Sequence, residues 1–277
     1  MPELTTVAQA LAHARRIGVD RLDAQLLLAR QLGRPRTWLL AHEDAPVADS
    51  PALQALLSRR AAGEPLAYLI GEREFHGLLL HVTSAVLVPR PDTEILVDWA
   101  LELLAGRLAP RIVDLGTGSG AIALALKHDC PRALVHASDA SAAALAVARA
   151  NGERLALRVS WHRGDWWLAL EPSLRMDLAV ANPPYIAPSD PHLAALRYEP
   201  VAALVAQGDG LAAIERIVAG ARARLKPGGW LMLEHGFEQA DAVCERLLQA
   251  GFEAVETRRD LAGQPRVSAG RVIAGGG

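Results

Sequence analysis

The stretch IVDLGTGSG at residues 112–120 decides the fold class of this chain of 277 residues. A short apolar run leads into three alternating glycines, and a second apolar run follows at residues 121–126. Glycine permits tight turns and lets a ligand approach the backbone closely. The succession of strand, glycine loop and helix is therefore typical of the first unit of a nucleotide-binding α/β sheet. The third glycine comes one residue early for the dinucleotide pattern Gly-x-Gly-x-x-Gly, so no pyrophosphate site is predicted.

Asp139 is the candidate for a ribose-binding carboxylate. It ends the next predicted strand, residues 133–138. This is about 20 residues after the glycine loop, where nucleotide-binding α/β folds place an acid that accepts hydrogen bonds from ribose hydroxyls. The same residue could cap the helix predicted over residues 141–151. The two roles are compatible, and the sequence leaves both open.

From Arg111 onward, predicted strands and helices alternate, which favours an α/β domain with a parallel sheet covered on both faces. The predicted strands are residues 111–115, 134–138, 157–162, 178–181, 230–234, 253–258 and 266–273. The predicted helices are residues 119–128, 141–152, 209–224 and 237–250. The last two strands follow one another without a long helix, so we expect them to pair antiparallel at one edge.

The first part of the chain has a purely helical pattern. Val7, Leu11 and Ala14 recur at helix spacing, and Asp20 can cap a helix that Gly33 closes. Alanine and leucine dominate these stripes, and no catalytic constellation accompanies them. We predict a small amino-terminal helical bundle.

A hairpin or an extended linker is predicted between the two parts. Turn residues at Phe75-His76-Gly77 precede an alternating segment, residues 78–88. A proline-rich stretch then leads into a helix over residues 94–105, with Asp92 or Thr93 as its cap. The predicted domains are a helical domain at 1–65, a hairpin linker at 66–90 and a catalytic domain at 91–277.

The composition predicts a cytoplasmic enzyme that does not enter a membrane. The net charge of −2 gives no general attraction for nucleic acid or anionic membranes. The amino terminus lacks the pattern of a signal peptide, and no run of about 18 or more apolar residues occurs. Cys130 and Cys244 are isolated, so neither a disulfide framework nor a structural zinc site is indicated.

Asn182-Pro183-Pro184-Tyr185, called the acceptor turn below, predicts a site that holds a planar NH₂ group. The tetrapeptide follows an apolar run, so it lies beyond the carboxyl end of a buried strand, where parallel sheets place their active sites. Two prolines fix the backbone and leave rigid carbonyl acceptors. Asn182 Oδ1 and a proline carbonyl can accept both hydrogens of a planar NH₂ group, while Tyr185 covers its face. An ordinary proline-rich turn is the alternative, which the glycine loop upstream disfavours.

Such a turn could make the nitrogen of a primary amide reactive. A primary amide nitrogen is a poor nucleophile because its lone pair is delocalised, and no side chain here can remove its proton. Two acceptors that hold the NH₂ hydrogens would pull the nitrogen toward pyramidal geometry. Positioning alone can then lower the barrier by about 7–11 kcal/mol. The sequence predicts Asn182 as the main polar side chain, with no general base and no metal.

The chain resembles the HemK/PrmC family, the peptide chain release factor glutamine methyltransferases. The resemblance covers nearly the whole chain, through motifs at residues 71–75, 87–94, 114–120, 182–186, 198–204, 208–210 and 233–236. It implies a class I methyltransferase fold with a Rossmann-like seven-stranded sheet, preceded by a helical domain and a hairpin linker. It also implies S-adenosylmethionine as the methyl donor. The implied acceptor is the side-chain amide nitrogen of the glutamine in the Gly-Gly-Gln loop of class I release factors.

The resemblance also implies roles for individual residues. The cofactor would be held by Gly116, Thr117, Gly118, Ser119, Gly120, Asp139, Trp166 and Asn182. The glutamine would be held by Asn182, Pro183, Pro184 and Tyr185, with Asn182, Pro183 and Tyr185 serving catalysis. Trp167 stands beside Trp166, so the sequence leaves open which indole flanks the adenine.

Two other functions stay open at this point. Nucleic-acid amino methyltransferases that act on adenine N6 or guanine N2 use the same kind of turn, because an exocyclic base amine is also a planar NH₂ group. The acidic balance and the lack of a basic, aromatic recognition segment disfavour them, so release factors rather than nucleic acid are the expected partners. A non-catalytic S-adenosylmethionine-binding protein is the third possibility, which the intact acceptor turn disfavours.

Several further polar residues invite a functional interpretation. We interpret His235 as a loop histidine with a structural hydrogen bond rather than as a base. Arg90 could meet an acidic partner or the cofactor carboxylate, or could be solvated, and Glu199 could support the acceptor turn. The arginines at 258, 259, 266 and 271 are interpreted as a solvated strand face.

Overall fold

The computed structural model describes residues 5–47 and 50–273. The chain divides into two compact units, residues 1–72 and 73–277, each with its own hydrophobic core. The two units are described separately below.

The first unit is helical in its described residues. Its helices are α1 (Val7–Arg16), α2 (Arg21–Leu32), α3 (Arg36–Ala41), α4 (Ser50–Ala61) and α5 (Leu66–Ile70). Asp20 caps α2 by accepting from the backbone N–H of Leu22 at 2.8 Å, and Gly33 ends it at φ +61°. Leu27, Leu28 and their apolar neighbours form the core, as the helical stripes predict.

A hairpin precedes the large sheet. It consists of β1 (Glu72–Phe75) and β2 (Leu78–His81). His76 and Gly77 at its tip both have positive φ, at 49° and 75°, as a two-residue turn of type I′ requires. The hairpin prediction for this segment is therefore correct.

The second unit contains a seven-stranded sheet with helices between the strands. The strands are β3 (Arg111–Leu115), β4 (Leu134–Asp139), β5 (Ser160–Arg163), β6 (Met176–Ala181), β7 (Leu225–Glu234), β8 (Phe252–Arg259) and β9 (Pro265–Val272). The helices are α6 (Glu94–Leu103), α7 (Ala121–Asp129), α8 (Ala142–Arg154), α9 (Val201–Leu204), α10 (Ala212–Ala221) and α11 (Ala240–Gln249).

The strand order is β5-β4-β3-β6-β7-β9-β8, with β9 inserted antiparallel between β7 and β8. The predicted antiparallel pair at one edge is present. The order reverses between β3 and β6, which pair in parallel with Leu115 opposite Ala181. The loops that follow these two strands therefore leave the sheet side by side, at the switch point where open α/β sheets bind their ligands.

Each face of the sheet has its own apolar cluster. Ile112 and Leu178 pack on the face covered by α6 and α7, whereas Val113 and Ala179 belong to the cluster with α10 and α11. Every residue of β6 is buried. This alternation places the central strands between two helical layers, as the continuous apolar runs predict.

Most predicted boundaries differ from the structure by a few residues, and two of these differences have a local cause. Helix α7 begins at Ala121 rather than at residue 119, because Gly120 has φ +85° and remains in the loop. Strand β7 begins at Leu225 rather than at residue 230, and it includes Pro227–Gly229. The pairing register with β6 shifts at this point, so the proline and glycines form an irregularity within the strand.

Candidate active site

A cavity of about 260 Å³ lies at the carboxyl ends of the central strands. Loops after β3, β4, β5 and β6 line it, together with residues 85–93 that precede α6. The predicted site residues that line this first cavity are Gly116, Thr117, Gly118, Ser119, Asp139, Trp166, Asn182 and Pro184. Residues from four separate loops thus meet in one space.

Gly120 does not line the first cavity. A Cβ atom at this position would lie 3.1–3.3 Å from Leu124, Trp161 and Ala148. The glycine is therefore required for close packing of the loop against α7 and its neighbours. Its expected contact with the cofactor remains a prediction.

Hydrogen bonds to Asp114 and to the backbone of β4 fix the glycine loop. The backbone N–H groups of Gly116 and Thr117 both donate to Ser138 O, at 2.8 and 2.9 Å. The Thr117 hydroxyl donates to Asp114 Oδ2 at 2.6 Å, and the Ala123 N–H donates to the same oxygen at 3.2 Å. These bonds hold the loop in one conformation before any ligand arrives.

Asp114 is a fully buried carboxyl beneath that loop. Burial raises its pKa to about 7, although the hydrogen bonds from Thr117 and Ala123 lower it, and the nearby Asp139 raises it further. Its Oδ1 atom has no hydrogen-bond partner among the residues that the structure describes. The loop therefore rests on a carboxyl whose charge changes near neutral pH.

Asp139 accepts two backbone hydrogen bonds at the rim of the first cavity. Gly118 N–H donates to Oδ2 at 2.9 Å, and Ser141 N–H donates to Oδ1 at 2.8 Å. The cap of α8 is Ser141, whose hydroxyl accepts from Ala144 N–H at 3.1 Å. The alternative role of Asp139 as the cap is therefore wrong. Each carboxylate oxygen retains a lone pair for a further donor.

The two adjacent tryptophans have different surroundings. Trp166 lines the first cavity and has φ +44°, which is uncommon for a bulky residue. Its ring lies against Gly116, where an added Cβ would come within 2.9 Å of it. Trp167 is buried, and its indole N–H donates to Ile217 O at 2.8 Å. Of the two indoles, only that of Trp166 is available to a ligand in this cavity.

Asn182 uses its amide nitrogen internally. Its Nδ2 donates to the hydroxyl of Thr93 at 3.2 Å. Of the two predicted caps, Thr93 occupies the cap position of α6, but its side chain makes no capping hydrogen bond. Helix α6 continues directly from a 3₁₀ turn, which leaves the threonine side chain free to meet Asn182. With Nδ2 engaged, Asn182 can present Oδ1 as an acceptor.

Tyr185 is fixed at both its backbone and its ring. Its carbonyl accepts from Gln239 Nε2 at 3.1 Å, and Gly210 approaches so closely that a Cβ there would lie 2.4 Å from this oxygen. The phenol donates to Glu234 Oε1 at 3.5 Å. Burial raises the pKa of Tyr185, and the Glu234 carboxyl raises it further. The phenol is therefore neutral at physiological pH and cannot act as a base.

A second cavity of about 370 Å³ adjoins the same turn. Pro183, Tyr185 and Ile186 line it, while Asn182 and Arg90 line both cavities. The Asn182–Tyr185 turn therefore stands where a ligand in one cavity would meet a ligand in the other.

The sequence matches two family models over the two parts of the chain. Residues 4–71 match the PrmC N-terminal domain, and residues 93–198 match the methyltransferase small domain. The release factor glutamine methyltransferase of Bordetella pertussis (strain Tohama I) is 54% identical over 257 residues, covering 91% of this chain and 95% of that protein. The chain belongs to the release factor glutamine methyltransferase family. The member from Burkholderia pseudomallei is 49% identical, covering 98% of each chain.

Solved structures of other methyltransferases share the fold of this family member. The 16S rRNA N2 G1207 methyltransferase of Thermus thermophilus, solved with AdoMet and guanosine, has a TM-score of 0.51 and 23% identity, covering 73% of this chain and 49% of that chain. With the seven-stranded sheet and the matched domain, this likeness confirms the predicted class I methyltransferase fold.

In this methyltransferase, Arg90 and Glu199 form an ion pair next to the acceptor turn. Arg90 donates to Glu199 Oε1 at 2.5 Å, and Val88 N–H donates to Oε2 at 3.0 Å. Only 3% of the Glu199 side chain is exposed, against 38% for Arg90. Glu199 thus anchors the segment that carries Arg90, and Arg90 is not merely a solvated charge.

His235 and the carboxy-terminal arginines have structural partners. His235 is buried, with Nδ1 bonded to Gly236 O at 2.9 Å and Nε2 to the Ser268 hydroxyl at 2.8 Å, which agrees with the structural interpretation. Burial lowers the pKa of His235. The arginines each have a carboxylate or carbonyl partner: Arg258 with Glu102, Arg259 with Gly263 O, Arg266 with Asp260 and Arg271 with Glu253. The side chain of Arg266 is only 14% exposed, so the interpretation as a solvated strand face is wrong for this residue.

Sequence reasoning missed three residues that hold the acceptor turn of this enzyme. They are Thr93, Glu234 and Gln239. Each belongs to, or closely follows, a motif that carries the family resemblance, but nothing local in the sequence shows that it faces Asn182 or Tyr185.

In the described ranges, 5–47 and 50–273, no group of three or more His, Cys, Asp or Glu side chains could hold a metal, and no helix is long and apolar enough to cross a membrane.

Proposed function

We propose that this enzyme transfers a methyl group from S-adenosylmethionine to the side-chain amide nitrogen of the glutamine in the Gly-Gly-Gln loop of class I release factors. The observation that carries the proposal is the orientation of Asn182 between the two cavities. Its Nδ2 is bound to Thr93, so Oδ1 is the atom available to an incoming NH₂ group. The curated relatives, which are release factor glutamine methyltransferases, support this acceptor.

The residues that line the first cavity match the chemical groups of the cofactor. S-adenosylmethionine requires acceptors for two ribose hydroxyls, a flat slot for adenine and an open backbone beside its charged end. Asp139 offers the acceptors, the ring of Trp166 offers the flat surface, and Gly118 has no atom within 4 Å of an added Cβ. When bound, the sulfonium group supplies an electrophilic methyl.

The second cavity would take the glutamine side chain. Asn182 Oδ1 and the Pro183 carbonyl would accept the two amide hydrogens, and the Tyr185 ring would cover the amide plane. This grip withdraws the nitrogen lone pair from conjugation and aims it at the first cavity. Held in this way, the nitrogen would face the methyl group that the bound cofactor would supply.

Proton removal needs no base from the chain. Once methylated, the amide nitrogen carries an additional proton and is strongly acidic, so water can take that proton. The raised pKa of Tyr185 keeps its phenol protonated. His235 is buried with both ring nitrogens engaged. The barrier is lowered by positioning, an effect of about 7–11 kcal/mol when the geometry is good.

We also propose that the helical segment, residues 1–65, recognises the release factor. Every residue with a proposed cofactor or amide contact lies after residue 110, and the helical segment contributes none. Remote binding energy helps to set orientation at the reacting centre. A chain starting at Arg73 should bind cofactor normally but lose most of its efficiency on an intact release factor. Undiminished efficiency would contradict this role. Since ribosomes and release factors work in the cytoplasm, the enzyme would act there.

A labelled-methyl assay tests the proposed function. Release factor, duplex DNA and RNA are offered separately with radiolabelled cofactor, and label should enter only the release factor. Label in nucleic acid would instead favour the amino methyltransferases of bases, which share the acceptor turn. Absence of label in all three would point to a protein that binds the cofactor without catalysis.

A further inference from the structure

Glu234 is a buried carboxyl beneath the acceptor turn, and the mechanism above gives it no role. It is the last residue of β7 and is 1% exposed. The Tyr185 phenol lies 3.5 Å from its Oε1, while Oε2 has no hydrogen-bond partner among the described residues. A buried carboxyl is costly, so its presence under the reacting turn calls for an explanation.

Thr93 connects this carboxyl to Asn182. Its side chain is buried, and its oxygen accepts from Asn182 Nδ2 at 3.2 Å. The same hydroxyl faces Glu234, and its proximity lowers the pKa of that carboxyl. Three segments that are distant in sequence thus meet in one short chain of polar groups.

Resting on the proposed function, we propose that Glu234 is a positioning residue. Acting through Thr93, it fixes the amide of Asn182 so that Oδ1, and not Nδ2, faces the acceptor. The device selects for a substrate that donates two hydrogens, such as a primary amide, because the turn then presents only acceptors.

The direction of the hydrogen bonds follows from the inventory of donors. An ionised carboxylate can only accept, whereas a threonine hydroxyl has one hydrogen to donate. Charged Glu234 takes that hydrogen, so the Thr93 oxygen must accept from Asn182. If Asn182 were flipped, its Oδ1 would compete with Glu234 for the same hydrogen and two acceptors would face each other. The Glu234 carboxylate therefore determines which of its two orientations the Asn182 amide takes, because oxygen and nitrogen of an amide have nearly the same shape.

Protonation of Glu234 would remove this constraint. Burial raises its pKa to about 7, against the lowering effects of Thr93 and Arg266, while Asp92 raises it. Of the other groups that face it, Tyr185 has a raised pKa and stays neutral, and Arg266 has a raised pKa and stays charged. Below about pH 7 the carboxyl can itself donate, and the Thr93 hydrogen is free to turn to Asn182.

Kinetics of matched variants test the role. Glu234→Gln keeps the shape but can donate to Thr93, so kcat on release factor should fall about 100-fold, the loss expected from a displaced reactant. KM and the Kd for S-adenosylmethionine should stay near the wild-type values. Thr93→Val should behave like Glu234→Gln, and Thr93→Ser, which keeps the hydroxyl, should restore most of kcat. Asp92→Asn is the control: it removes another carboxylate, 3.7 Å from Arg266, whose charge raises the pKa of Glu234, so its loss favours the ionised form of Glu234 and should leave kcat near the wild-type value.

A second measurement needs no acceptor, so it separates failure of this inference from failure of the proposed function. The chain contains only two asparagines, Asn151 and Asn182. Labelling with ¹⁵N-asparagine therefore gives two side-chain NH₂ groups in an NMR spectrum. Asn151, whose Nδ2 donates to His81 O and Ser119 O, serves as an internal reference. The Asn182→Asp variant removes one signal and so assigns both.

The NH₂ signal of Asn182 should shift with a midpoint near pH 7 in the wild-type enzyme, and this shift should vanish in Glu234→Gln and Thr93→Val. A wild-type signal that does not change with pH, or one that titrates equally in Glu234→Gln, would overturn the inference. So would a wild-type kcat in Glu234→Gln. Loss of label transfer by the wild-type enzyme, with the NMR shift present, would count against the proposed function alone.

Discussion

The glycine loop and the acceptor turn are supported in the same way, but the supporting residues are close in sequence in one case and distant in the other. Each rests on a buried carboxyl next to a threonine hydroxyl, Asp114 with Thr117 in one and Glu234 with Thr93 in the other. Burial raises the pKa of both carboxyls to about 7. Asp114 and Thr117 are three positions apart, whereas Thr93, Asn182 and Glu234 come from three separate elements.

The difference determines what each carboxyl does. Asp114 accepts from a backbone N–H as well as from Thr117, so it fixes the course of a loop. Glu234 lies at the end of a chain that reaches the side-chain amide of Asn182, so it fixes the direction of one hydrogen bond. Changes near Asp114 should therefore affect cofactor binding, and changes near Glu234 should affect turnover.

The largest expected effect is on turnover, and substitution of Asn182 distinguishes it from an effect on cofactor binding. Asn182→Ala removes the acceptor oxygen, and kcat should fall about 100- to 1,000-fold, as when one preorganised polar group is lost from an active site. Cofactor affinity, measured by calorimetry, should change far less. A variant whose main defect is cofactor binding would place Asn182 with the glycine loop rather than with the acceptor.

The second expected effect is a pH dependence of stability that the two carboxyls share. Glu234 has a folded-state pKa of about 7 against 4.5 for an unperturbed group, so the native protein binds more protons between these values. Its stability contribution therefore falls as pH rises through this window, by roughly 3 kcal/mol for Glu234. Asp114, raised from 3.8 to about 7, acts in the same direction.

Denaturant unfolding at pH 5 and pH 8 measures this effect. For Glu234→Gln and for Asp114→Asn, the free energy of unfolding minus that of the wild type should be more positive at pH 8 than at pH 5. Taking the difference from wild type cancels the opposite contribution of carboxyls with lowered pKa values, such as Asp177. Equal differences at the two pH values would show that these carboxyls are charged in the native state throughout.

The third expected effect concerns the glycine loop alone. Asp139→Ala should weaken S-adenosylmethionine binding by about 1.5–3 kcal/mol, the usual value for a hydrogen bond to a charged group. Part of this loss comes from release of Gly118 N–H, which Asp139 holds at 2.9 Å. Asp139→Asn, which keeps an acceptor oxygen, should lose less. Unchanged affinity in calorimetry of Asp139→Ala would move the ribose contact elsewhere.

The smallest expected effect compares two glycines in the same loop. Gly116 and Gly118 both have positive φ, so an alanine at either position costs about 1–2 kcal/mol of stability. Only at Gly116 would the new Cβ meet the Trp166 ring, at 2.9 Å. Gly116→Ala should therefore weaken cofactor binding more than Gly118→Ala. The reverse order would argue against Trp166 as the wall of the adenine slot.

The sequence predicts well those features whose residues are contiguous in the chain. The strand, glycine loop and helix at residues 112–126 are contiguous, so spacing alone indicates them, and the Asn182–Tyr185 turn is equally local. The support of Asn182 is not, because Thr93 and Glu234 reach it only through the order of β3, β6 and β7 in the sheet. Local pattern predicts only that Asp92 or Thr93 caps α6, and it gives no sign that the Thr93 side chain meets Asn182.

Burial also decides features that local pattern leaves open. The sequence could not choose between Trp166 and Trp167, since the choice depends on which indole the core encloses. The core takes Trp167, whose N–H finds Ile217 O, and leaves Trp166 at the cavity. The sequence likewise leaves the role of Arg90 open, because its pairing with the buried Glu199 depends on the tertiary fold.

The measurement that tests the central claim most directly is mass spectrometry of a release factor incubated with this enzyme and S-adenosylmethionine. The account predicts one added methyl group on the glutamine of the Gly-Gly-Gln loop. It also predicts no added mass when that glutamine is replaced by alanine. A methyl group on another residue, or equal modification of the alanine variant, would contradict the claim that Asn182–Tyr185 receives this amide.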